Sequence, residues 1–181
     1  DAIGPFVSFR VGREIPDGFG MLVGKASGLV SSAGLDSGSV VIAGTAVFRL
    51  GSDRQLLLLH SEGGMASHIA PLDVFDLGAV LGPRGFGAHA FTGDRYHYST
   101  AEYRYTIAPE VASLAGFAVA AFADYGGAWY GGSAPRSGFD FGVGLRVGST
   151  RQADLRSARF DIVHRLANDA IGAGWQFVAG T

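Results

Sequence analysis

An all-β chain, folded as an antiparallel transmembrane β-barrel, is the architecture this sequence predicts, and three observations predict it. Apolar residues recur at every second position through many short segments, the period of a strand whose two faces meet different surroundings. The chain is apolar for its charge, 48% hydrophobic and 17% charged with mean hydropathy +0.24, yet no uninterrupted apolar run reaches the ~20 residues a spanning helix needs. The face opposite the apolar one carries glycine, alanine and scattered Arg, Asp and Glu, and Lys25 is the one lysine in 181 residues. A soluble β-sandwich would dress that face for water with Lys, Glu and Thr. A closed barrel instead satisfies its backbone hydrogen bonds within hydrocarbon, with oily side chains outside and small or charged ones in the lumen.

The alternation runs segment by segment. In the first, Pro5, Val7, Phe9 and Val11 separate from Ser8, Arg10, Gly12 and Glu14. Phe19 to Gly28 and Ser39 to Leu50 alternate less cleanly, and Leu56 to Leu59 is a plain apolar run. Farther on, Ala101, Tyr103, Tyr105 and Ile107 oppose Glu102, Arg104 and Thr106, and Phe117, Val119, Ala121, Ala123 and Tyr125 oppose Gly116, Ala118, Ala120, Phe122 and Asp124. The clearest case is Gly138 to Gly148, where Phe139, Phe141, Val143, Leu145 and Val147 share one face against Gly, Asp140 and Arg146. Phe160 and Ile162 oppose Arg159, Asp161 and Arg165, and Trp175, Phe177 and Ala179 oppose Gln176 and Gly180. The count is about nine strands.

Connections add an orientation. Ile15-Pro16-Asp17-Gly18 and Gly51-Ser52-Asp53-Arg54 are short, whereas Ser31 to Ser39 and Gly63 to Tyr96 read as long. Barrels of the outer membrane have tight periplasmic turns and longer outside loops, which places Gly63 to Tyr96 outside and runs the final strand toward the periplasm. Tyr103, Tyr105, Tyr125, Trp129, Tyr130 and Trp175 are expected on the lipid side or in an interfacial girdle.

Several function classes are disfavoured. A net charge of -2 and pI near 6.2 supply no basic stripe for nucleic acid. Without cysteine there is no disulfide or thiolate chemistry. His60, His68, His89, His97 and His164 lack the spacing of a metal motif, Gly131-Gly132-Ser133-Ala134 lacks the context of a nucleophile elbow, and no phosphate loop is present. The expectation is a protein that is no enzyme and has no cofactor and no metal. No cleavable signal pattern follows Asp1, so for an exported protein the expectation is a longer primary product.

One constellation carries more. Pro83-Arg84-Gly85-Phe86 precedes Ser99-Thr100-Ala101-Glu102-Tyr103-Arg104, then Phe122-Ala123-Asp124-Tyr125-Gly126, Gly142-Val143-Gly144-Leu145-Arg146-Val147, and Ala158-Arg159-Phe160-Asp161-Ile162. In order and spacing these segments resemble the Omp85 superfamily of bacterial surface antigens, from about Phe75 to Thr181, with the upstream strands similar in general character. The resemblance implies a sixteen-stranded outer-membrane β-barrel of which residues 1–181 are the C-terminal portion, with a long re-entrant extracellular loop at about 63–96.

It further implies that Arg84, Gly85 and Phe86 form a lock inside the barrel. Arg84 would meet Asp124 beside Phe122, Phe86 would pack on the inner wall, and Gly85 would take a positive φ or approach the wall closely. Glu102, Arg104, Arg146, Arg159 and Asp161 are expected to face the lumen and neutralise one another. The last strand, with Gly174, Trp175, Phe177 and Gly180, would be a weakly paired seam where a client strand adds. The implied function is insertion or assembly of outer-membrane proteins, or protein translocation. Its partners would be outer-membrane lipids, client outer-membrane or secreted proteins and other envelope subunits. Alternatives are a structural barrel subunit or anchor of a larger complex, and the barrel of a patatin-like lipase fusion.

Overall fold

The computed structural model describes residues 4–32, 34–67, 74–78, 81–112, 115–149, 157–168 and 170–180, and their regular structure is all β. Among the described residues no helix is long and apolar enough to cross a membrane, which says nothing of crossing by strands. The strands are β1 (Phe6–Ile15), β2 (Gly18–Ser31), β3 (Gly34–Arg49), β4 (Gln55–Ser67), β5 (Phe75–Leu77), β6 (Phe91–Gly93), β7 (Arg95–Val111), β8 (Ala115–Trp129), β9 (Gly138–Ser149), β10 (Ser157–Arg165) and β11 (Gly174–Gly180).

Nine of them form one antiparallel sheet in the order β1-β2-β3-β4-β7-β8-β9-β10-β11, and β5 pairs with β6 in a separate small hairpin. The nine strands expected from alternation are therefore present. Among the described residues the sheet does not close into a barrel, and β1 and β11 are its two margins. With an odd number of antiparallel strands both margins run the same way, so they could pair with each other only in parallel.

The turns follow local chemistry. Between β1 and β2, Pro16 presets its own φ and Asp17 takes φ 54, the left-handed position that Asp tolerates. Two expected boundaries move. Ser31 to Ser39 is not a long connection, because β2 runs to Ser31 and β3 begins at Gly34, with Gly38 opposite Gly28 and Ser39 opposite Ser27. A register shift at Leu29/Val30 absorbs the irregularity. Likewise Gly63 and Gly64 pair with His97 and Tyr96, so the long connection lies between Ser67 and Arg95. Small residues that read as turn formers sit in the ladder because neighbouring strands supply their hydrogen bonds.

Burial is inverted with respect to a water-soluble sheet. One row of the exposed face runs Tyr103, Ala121, Val143, Ile162, Phe177 across β7 to β11, and Val143, Ile162 and Phe177 are 57%, 53% and 69% exposed. The other face buries Asp124, Asp140 and Asp161 completely, at 0%. Of the six aromatics expected outside, Tyr103, Tyr105, Tyr125, Tyr130 and Trp175 are exposed and Trp129 is half-buried. A small apolar cluster covers part of the inner face, where Leu77, Phe86, Phe91 and Ala128 are buried against Phe75, Tyr96, Tyr98 and Ile171. It joins the long connection to the sheet.

Candidate functional site: an arginine cradle on the inner face

The connection between β6 and β5 carries Pro83 to Phe86 back onto the inner face of β7 to β11. Period-two alternation aims Thr100 and Glu102 of β7, Phe122 and Asp124 of β8, Asp140 and Arg146 of β9, Asp161 of β10 and Gln176 of β11 at one place. Arg84 enters their midst and is 4% exposed.

Its guanidinium contacts three carboxylates: Nε lies 3.0 Å from Asp124 Oδ2, and Nη1 lies 2.9 Å from Glu102 Oε2 and 3.3 Å from Asp161 Oδ2. Nη2 donates to Thr100 Oγ1 at 3.3 Å. The guanidinium carbon sits 3.8 Å from the centroid of the Phe122 ring, so the cation also meets the negative face of an aromatic. This planar fork, with donors on several edges, can serve that many acceptors where a lysine point charge cannot.

A second arginine balances the charge. Arg146 grips Glu102 with two bonds, Nε to Oε1 at 2.9 Å and Nη2 to Oε2 at 2.7 Å, and its Nη1 reaches Asp161 Oδ1 at 2.5 Å. Arg104 adds a 2.6 Å bond from Nε to Glu102 Oε1. Glu102, Arg104, Arg146 and Asp161 thus neutralise one another as expected. Arg159 faces the same side, next to Gly180, and its buried Nε meets no hydrogen-bond partner among the described residues.

The backbone of the tip is held as tightly as the side chain. Arg84 N–H donates to Asp124 Oδ2 at 3.4 Å and Gly85 N–H to Asp140 Oδ2 at 2.6 Å. The Arg84 carbonyl accepts from Gln176 Nε2 at 2.5 Å, and the Gly85 carbonyl from Arg165 Nη1 at 3.3 Å. Of the two roles foreseen for Gly85, close approach is the one realised: it is absent from the residues of positive φ, and a Cβ there would lie 2.8 Å from Asp140 Cβ and 3.0 Å from Arg165 Cβ. Phe86 is 0% exposed, its ring 5.1 Å from that of Phe91 and resting where Gly138 has no side chain.

The expected pairing of Arg84 with Asp124 beside Phe122 is therefore present, and Phe86 packs on the inner wall. Sequence reasoning did not assign Asp140, Thr100, Arg165 or Gln176 to the tip. Alternation puts Asp140, Arg165 and Gln176 on the inner face, but only the height at which the tip docks selects them. Of the residues expected in the last strand, Trp175 and Phe177 are exposed, at 68% and 69%, and Gly174 and Gly180 share the inner face with Gln176. Among the described residues β11 pairs with β10 alone; Thr181 lies outside them.

The histidines do not converge. His60 meets Thr45 Oγ1 at 2.9 Å, His89 contacts Asp76, and His97 and His164 pack against aromatic rings of the exposed face; His68 lies outside the described residues. Among the described residues, no three His, Asp or Glu side chains are grouped to hold a metal ion. The arrangement can grip a loop and neutralise charge. No family model matches the chain, and no curated protein matches it in sequence.

Proposed function

We propose that these nine strands are the C-terminal part of an outer-membrane barrel of the Omp85 type, and that the protein inserts or translocates client proteins rather than catalysing a reaction. One observation carries this reading: the Arg84-Gly85-Phe86 tip, seated on the inner face, with Arg84 buried against Asp124, Glu102 and Asp161. It matches what the resemblance implies for a re-entrant loop, and a plain surface turn would leave the arginine in water.

The inverted burial supports a lipid-facing exterior. A wall of Phe, Val, Ile and Trp around buried Asp, Glu and Arg is unfavourable in water and favourable in hydrocarbon. Strand direction agrees with a sixteen-stranded whole, since an antiparallel closure between β1 and β11 needs an odd number of further strands. The unpaired margin of β11 would be the seam at which a client strand adds, with outer-membrane lipids as the surroundings.

The test is made in the native host, with the protein replaced by its Arg84→Ala form. Expected are correct membrane fractionation of the barrel and a fall in the folded outer-membrane or secreted clients. Unchanged client levels, together with a loop shown to be released, would overturn the proposed role.

A further inference from the structure

We infer that Gln176 couples the seating of the Arg84 loop to the register of the edge strand β11. The inference goes beyond client handling and holds whatever the barrel transports. β11 is seven residues long and, among the described residues, β10 is its sole partner in the sheet, the condition under which a strand frays or slips. Gln176 lies inside that strand, opposite Val163, and faces inward between the outward Trp175 and Phe177.

Three contacts from the β10–β11 hairpin converge on the loop tip. The Gln176 carboxamide donates to the Arg84 carbonyl at 2.5 Å. Arg165, at the end of β10, donates Nη1 to the Gly85 carbonyl at 3.3 Å and Nε to the Gly172 carbonyl at 2.8 Å, tying the same tip to the connection that leads into β11. Ile171 in that connection packs on the cluster containing Phe86 and Phe91.

Register decides whether the first contact exists. A slip of one residue turns Gln176 to the outside and points Trp175 or Phe177 at the tip. A slip of two moves the amide by ~7 Å along the strand. Either leaves the Arg84 carbonyl without its donor in a buried place, where an unmet acceptor is costly. The loop therefore seats best on the correct register, and by linkage the seated loop must favour that register to the same degree. Chemistry at the position is constrained as well: a leucine fills the space without a donor, and a glutamate sets oxygen against oxygen.

Reciprocity supplies the test, made on the full chain in detergent micelles. Gln176→Leu should speed proteolytic cleavage of the connection between Ser67 and Arg95 by about 5-fold or more, the low end of ordinary coupling energies. Arg84→Ala, which leaves β11 untouched in sequence, should speed hydrogen exchange of the amides of residues 174–180 by a similar factor and leave β2 and β3 unchanged. Phe177→Ala, on the same strand but the opposite face, should not alter loop cleavage. Unchanged β11 exchange in Arg84→Ala overturns the coupling, as does equal loop opening in Phe177→Ala. If Gln176→Leu does not fold, the Arg84→Ala arm decides alone, since it reads the same linkage from the loop side.

Discussion

Removing Arg84 does more harm through what it leaves behind than through the contacts it takes away. Its three carboxylate neighbours sit at 5% or 0% side-chain exposure, and Arg146 and Arg104, which reach Glu102 and Asp161, do not answer Asp124. Arg84→Ala is expected to cost ~3–5 kcal/mol, seen as a lower unfolding midpoint in micelles and rapid loop proteolysis. Arg84→Lys should rescue little of it, because one ammonium cannot serve Asp124, Glu102, Asp161 and Thr100 at once. Gly85→Ala is expected to unseat the tip at a cost of about 1–3 kcal/mol, since its Cβ would press on Asp140 and Arg165; the same protease assay checks it. The Arg84–Asp124 pair was readable only with the resemblance, which implied an arginine carried inside; a buried guanidinium then demands a carboxylate, and alternation put Asp124 on that face. Asp140 was not, since it serves a backbone N–H, and any residue but proline offers one. Gln176 was hidden for the same reason: its partner is a carbonyl, which leaves no mark in the sequence.

Along the strands, alternation was most informative where both faces had a definite preference. Gly138 to Gly148 has aromatic and branched residues against Asp140 and Arg146, and β9 follows that reading through Leu145. Where the alternation weakens, as from Gly34 to Ser39, glycine and serine suggested a loop, and only pairing with β2 shows a strand. Membership of the ladder depends on what lies alongside, which a single segment does not encode. The outward rows carry their own test. Val143→Arg is expected to destabilise folding into phospholipid vesicles by ~2–4 kcal/mol if the position lies near the bilayer midplane. On a strand facing water the same change costs no more than about 0.5 kcal/mol. A denaturant titration in vesicles distinguishes the two, and a cost near zero would count against a lipid-facing wall.

For the assembled sheet, the expectation is association in water and dispersion in detergent. An apolar face that includes Phe139, Phe141, Val143, Phe160 and Ile162, all exposed, and two unpaired margins are both routes to aggregation. Sedimentation velocity with and without micelles measures this, and a monodisperse particle in plain buffer would contradict the lipid-facing assignment. The inner face tells a complementary story, since the loop brings its own apolar cluster and cation to a wall that would otherwise hold uncompensated carboxylates. That β1 and β11 point the same way also limits how such a strip can change over evolutionary time. A tandem copy of this nine-strand segment would set like-directed borders side by side, and ordinary hairpin connections could not join them. Enlargement by pairs of strands keeps the weave intact; wholesale doubling requires one additional strand at every junction.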